Sequence, residues 1–204
     1  MRLLYRNKSS YVKRVGMKCC GILLIALLAP PVLADSTNIL GSWSSNCYPL
    51  PKRHTVQTSL EISESLIAVE SALFAENEKC GTKNLIVTYT AKYKIGAKTD
   101  SNYLFNYNPH TVTMTLLRQD IVDLYNQDLQ RSCGLSNWRI NEPRDVSGLI
   151  CAGNKMPTNG EEVYDLMGME GSSLRFAAFT TSSGATDDLN RPSTLNQLVV
   201  FISE

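Results

Sequence analysis

The stretch Leu85-Ile86-Val87-Thr88-Tyr89-Thr90-Ala91-Lys92-Tyr93-Lys94-Ile95 alternates apolar side chains with mostly polar ones. An extended chain turns successive side chains to opposite faces, so Leu85, Val87, Tyr89, Ala91, Tyr93 and Ile95 share one face, which must be buried. The stretch reads as a long β-strand. Downstream, Val112, Met114 and Leu116 repeat the pattern between Thr111, Thr113 and Thr115. Shorter strands are expected over residues 39–47, 56–63, 65–74, 103–107, 163–169, 173–180 and 197–203. They are separated by Cys80-Gly81-Thr82-Lys83, Asn106-Tyr107-Asn108-Pro109, Thr158-Asn159-Gly160 and Glu170-Gly171, whose residue types favour turns.

One segment departs from this period. Over residues 119–131, Ile121, Leu124, Tyr125 and Leu129 fall on one side of a helix, with Asp120 near its amino end and Arg131 near its carboxyl end. Gly134, after Cys133, tolerates the left-handed conformation that ends a last turn. Eight or nine short strands and one amphipathic helix describe a mostly β molecule, either a sandwich or a closed barrel. An antiparallel up-and-down barrel is the expected fold, because closure removes the unpaired edges an exported sheet would expose. The helix is expected to lie across the barrel or one of its mouths. The Ser-, Gly- and Asp-rich residues 181–192 read as a long loop.

Residues 1–34 read as a cleavable export signal. Arg2, Arg6, Lys8, Lys13, Arg14 and Lys18 form a basic leader without an acid, and the apolar run 19–33 leads into Val32-Leu33-Ala34. That run contains Pro30 and Pro31 and falls short of the ~20 apolar residues of a spanning helix. Residues 35–204 carry 14 basic against 19 acidic residues, a net charge of −5. This sign argues against nucleic acid, whose phosphates call for clustered cations. Residues 35–204 suit one domain with a sizeable core, and no second apolar run is long enough to span a membrane. A periplasmic or secreted destination follows.

Four cysteines remain beyond the leader: Cys47, Cys80, Cys133 and Cys151. An even number in an oxidising compartment is most simply two disulfides, and four cysteines allow three pairings. Cys47–Cys80 and Cys133–Cys151 are favoured because each closes a short stretch of chain. A zinc site is disfavoured: there is no C-x-x-C, and His54 and His110 are the sole histidines.

The segment Leu40-Gly41-Ser42-Trp43 resembles the Gly-x-Trp entry to the first strand of lipocalins and other calycin barrels. The resemblance implies that Trp43 plugs the closed end of the barrel beneath an arginine near the last strand, for which Arg191 is the match. A wider pattern looks like that of small exported bacterial proteins of lipocalin-like outline and unassigned function. It comprises Trp43 with Cys47, Cys133-Gly134 with Trp138, and Asp187 with Arg191-Pro192-Ser193-Thr194-Leu195. It transfers no catalytic residue.

Reaction chemistry finds little support. There is no Gly-x-Ser-x-Gly elbow, and both histidines stand in turn-like surroundings. The paired acids Glu161-Glu162 and Asp187-Asp188 read as solvated, and Asp187, Asp188 and Asn190 do not match a calcium loop. The leading expectation is a non-enzymatic carrier without a cofactor, holding a small hydrophobic or amphipathic ligand against Tyr89, Tyr93, Tyr103 and Phe105. The alternative is a solid barrel whose loops, 181–192 among them, bind a protein partner.

Overall fold

A computed structural model describes residues 38–50, 54–75, 79–179 and 184–204. They belong to one structural unit, Thr37–Glu204. The expected leader and part of the loop 181–192 lie outside the described residues.

The strands are β1 (Gly41–Ser45), β2 (Tyr48–Pro49), β3 (Thr55–Ile62), β4 (Leu66–Phe74), β5 (Lys83–Thr99), β6 (Asn102–Leu116), β7 (Arg144–Asp145), β8 (Ile150–Cys151), β9 (Asn154–Lys155), β10 (Val163–Glu170), β11 (Ser173–Phe176) and β12 (Phe201–Ser203), with one helix, α1 (Gln119–Gln127). Eight of these strands form a closed antiparallel ring, β1-β3-β4-β5-β6-β10-β11-β12, in which each barrel strand pairs with the next along the chain. The ring shuts where Trp43 stands opposite both Leu60 of β3 and Ser203 of β12. β2 extends β3, β7 pairs with β6, and β8 with β9 forms a separate hairpin. The expected fold class is the one found.

The long alternating stretch is β5, and its inward residues Leu85, Val87, Tyr89 and Ala91 are buried. On β3 the inward set is Val56, Thr58, Leu60 and Ile62. Thr58 is tolerated there because its hydroxyl shares hydrogen bonds with Tyr48 and Ser71, while its N–H donates to Ser45 Oγ at 2.8 Å.

Three expectations are corrected. The two strands read at 103–107 and around Val112 are one continuous strand, β6. A β-bulge against β5, between the pairs Thr88↔Thr113 and Thr90↔His110, gives β6 one extra residue, and Thr111 takes up the slack at φ +55°. The bulge reverses which residues face inward: Phe105, Tyr107 and Pro109 before it, Val112, Met114 and Leu116 after it. That change of phase is why one strand reads as two. Pro109 fits within β6 because β10 pairing ends at Tyr107 and β7 pairing begins at Thr113, so no strand needs its missing N–H. Its carbonyl accepts the N–H of Gly160 on that same side.

The helix is shorter than residues 119–131. It stops at Gln127, and Asp128 starts a separate turn by accepting the N–H groups of Gln130 and Arg131. Its buried residues are Val122 and Tyr125, while Leu124 and Leu129 are exposed, so the packing face is rotated from the expected one. Strands expected at 39–47, 173–180 and 197–203 are trimmed to β1, β11 and β12 as chain ends leave the ring.

Cys133 is bonded to Cys151 and Cys47 to Cys80. The first pair is buried, the second half-buried. Both bonds fit an oxidising environment. The Cys133–Cys151 bond staples the excursion between β6 and β10, which also buries Trp138 edge-on to Tyr125 with ring centroids 5.6 Å apart. No helix among the described residues is long and apolar enough to cross a membrane.

Candidate functional site

The inward positions of β5, β6, β10 and β11 converge on a cluster of aromatic rings. Phe105 has neighbouring ring centroids at 5.9 Å (Tyr93), 5.8 Å (Tyr107), 5.0 Å (Phe176) and 6.1 Å (Phe179). Phe179 also meets Tyr89, Tyr107 and Phe176, and Phe176 meets Phe201. Edge-to-face and tilted pairs at these separations are the geometry of a packed core. The lumen at this level is filled by the protein's own side chains.

The four residues expected to line a ligand chamber therefore stand in different settings. Tyr89 and Phe105 are buried in the cluster. Burial is the main reason the Tyr89 hydroxyl is held far above the usual tyrosine range, with Tyr48 and Asp165 adding to it. Tyr93 sits at the margin, stacked on Phe105 and donating its hydroxyl to Ser63 O at 2.7 Å. Tyr103 lies near the far end of the β5–β6 hairpin, with the Lys98 ammonium 5.5 Å from its ring centroid.

Asp165 is the residue the sequence reading missed. It is fully buried on β10, opposite Phe105. Its Oδ1 accepts the N–H groups of Leu166 (2.8 Å) and Ala178 (2.9 Å), and its Oδ2 accepts that of Phe179 (2.7 Å). Desolvation pushes this carboxyl above the usual carboxylate range, against the opposing pull of those N–H donors. The available signal was a lone acid on the inward phase of Val163, Asp165 and Met167.

Arg191 joins the strands to the long connection before β12. Its Nη1 donates to Phe105 O and Asp165 O, its Nη2 to Asn106 Oδ1 (2.8 Å) and Asp188 Oδ1 (2.6 Å), and its Nε to Asp188 Oδ1 (2.8 Å). The ring beneath its guanidinium is Tyr164, at 5.2 Å. The resemblance puts a tryptophan there. Trp43 is instead held on β1, its indole N–H donating to Ile39 O at 2.9 Å.

Residues Asp188–Asn190 form a 3-10 turn. Asp187 caps it by accepting the Asn190 N–H at 3.0 Å and its side-chain amide, which draws the Asp187 carboxyl below the usual range. Arg191 closes the other end through Asp188. At the apex of this doubly braced turn Leu189 is 98% exposed.

His110 lies within β6 opposite Thr90, and His54 immediately precedes β3. Among the described residues no group of three His, Cys, Asp or Glu side chains is arranged to hold a metal ion. No known protein family matches this chain, and no curated protein matches it.

Proposed function

We propose that this chain is an exported, non-enzymatic protein-binding module of lipocalin-like (calycin) type, which engages a partner through the Asp187–Arg191 turn. The observation that carries this reading is Leu189. A leucine this exposed is unremarkable on a mobile loop, but this one crowns a turn fixed at both ends by charge-assisted hydrogen bonds. A preorganised apolar apex loses little conformational freedom on binding, which is how a small contact gains affinity. The eight-stranded closed meander supports the calycin assignment. The basic leader and the two disulfides support export.

The test is a photo-crosslinking side chain at position 189, used on protein exported by its own host, followed by affinity measurement with the purified partner. Leu189→Asp should weaken binding by about 30-fold, the loss of a hot-spot anchor. Full affinity in that variant ends the proposal.

A second reading, a carrier of a small hydrophobic ligand, draws on Phe179. This ring touches Tyr89, Phe105, Tyr107 and Phe176, and its displacement would open a chamber lined by Tyr89, Tyr93 and Phe105. Native mass spectrometry of host-purified protein separates the two readings.

A further inference from the structure

The outside of the barrel carries an open depression of about 600 Å³ spanning β1, β3, β4, β5 and β6. Its floor is made of short side chains on successive strands: Ser59, Ala68, Thr88, Thr90 and Thr113. Cross-strand pairs place them side by side, Ala68 beside Thr90 and Thr88 beside Thr113. Such a floor lets another chain approach the plane of the sheet. Its charges are Glu61, Glu70 and Glu204. Glu61 and Glu204 accept hydrogen bonds from Ser42 and Ser44, while Glu70 pairs with Lys83 across 2.9 Å. Among the described residues that line the depression there is no lysine or arginine.

Thr111 lies at its edge, exposed, at φ +55°. That conformation suits glycine and is costly for a β-branched residue, and strain of this kind concentrates where a surface is used. The bulge it creates bends β6 beside the depression.

We propose that this depression binds an extended basic peptide segment with Lys or Arg at alternate positions. Glu61 stands opposite Ala68, and Glu70 lies two residues further along β4, a diagonal relation of about 7–8 Å. An extended chain places residues i and i+2 about 6.8 Å apart on one face. Glu61 and Glu204 stand on either side of Ser42 of β1, about two strand spacings or roughly 10 Å apart at the backbone, and each carboxylate turns toward β1 through its serine hydrogen bond. These separations exceed the roughly 6.8 Å of alternate residues by no more than the long, flexible Lys and Arg side chains span, so alternate cations of one strand-like segment reach these acids, while the hydroxyls of Ser59, Thr88 and Thr90 line the floor beneath it. The depression meets β6 only at Thr111 and Thr113, whereas the Asp187–Arg191 turn is held by Phe105 and Asn106 further back on that strand and by Asp165 of β10, so the two surfaces share no residue and stand or fall separately.

The test is an NMR titration of the ¹⁵N-labelled protein with the capped peptide Lys-Ala-Lys-Ala-Lys and, as a control, Glu-Ala-Glu-Ala-Glu. The basic peptide should shift amides of β3, β4 and β5 around Glu61, Ala68 and Thr88, with affinity that falls as salt rises. Glu61→Gln with Glu204→Gln should weaken it by roughly 2- to 30-fold, the effect of two exposed ion pairs, and the variant's own spectrum reports whether it is folded. No shifts at millimolar peptide, shifts mapping elsewhere, equal shifts with the acidic peptide, or salt-independent binding would each overturn the proposal.

Discussion

The Asp165 carboxylate holds the main-chain N–H of Phe179 at 2.7 Å, so a buried acid positions the ring on which the aromatic cluster of the lumen converges. Asp165→Asn keeps the shape but turns an amide NH₂ toward one or more N–H donors. The expected cost is about 2–3 kcal/mol in urea unfolding, the range for a hydrogen bond to a charged group left unmade.

The same acid gives a pH signature. Its folded-state carboxyl is raised above the unfolded value, chiefly by desolvation. Its contribution is therefore fully present below the unfolded carboxylate range and is lost as pH rises through the raised folded value. Wild-type stability should show a downward component across that window. Asp165→Asn should lack it; an unchanged pH profile in the variant would rule the assignment out.

Phe179→Ala removes a ring that meets four others, Tyr89, Phe105, Tyr107 and Phe176. A loss of about 3–5 kcal/mol is expected from lost transfer free energy and the cavity left behind. Gain of binding to a fluorescent apolar probe in the folded variant would show that the lumen opens without collapsing.

Thr111→Gly should stabilise the fold by up to about 1 kcal/mol. The left-handed φ is free of steric cost for glycine, although the added unfolded-state entropy offsets part of the gain. Thr111 is exposed, so no core contact is lost. Destabilisation on thermal unfolding would mean that the hydroxyl or methyl contributes a contact that outweighs the backbone strain.

Tyr125 offers a spectroscopic check on the stapled excursion. Burial pushes its hydroxyl up to about 12, with Arg131 opposing. The neutral form is the one the fold favours, so this stability is present below the ordinary tyrosine range and is lost as pH climbs through about 12. Trp138 fluorescence should change in the same step, because the two rings are in contact, and Tyr125→Phe should abolish the coupling.

The sequence made the barrel legible because inward and outward residues alternate cleanly on β3 and β5, and because each barrel strand pairs with its neighbour in sequence. It misled at β6, where the hydrophobic phase shifts from odd to even residues across a bulge centred on Thr111. A period-two reading treats such a shift as a break. The α1 face was misjudged because Leu124 and Leu129 look as apolar as Val122, and only the direction of the β6 contact decides between them. The site was less legible still. Asp165 stood in the right phase to be noticed, but its partners are main-chain N–H groups, two of the three of them thirteen and fourteen residues away, and these leave no mark in side-chain type. Arg191 was picked out for its place before β12, whereas Tyr164 beneath it depends on cross-strand register.

The seam of the ring joins residues 41–45 to residues 201–203. During synthesis the chain emerges in order, so the first barrel strand waits for nearly the whole domain before its second neighbour arrives. Until then its backbone groups on that side are open to any passing strand. Closure therefore brings together the ends of the longest loop in the ring, and contacts this far apart in sequence are the slow ones to form.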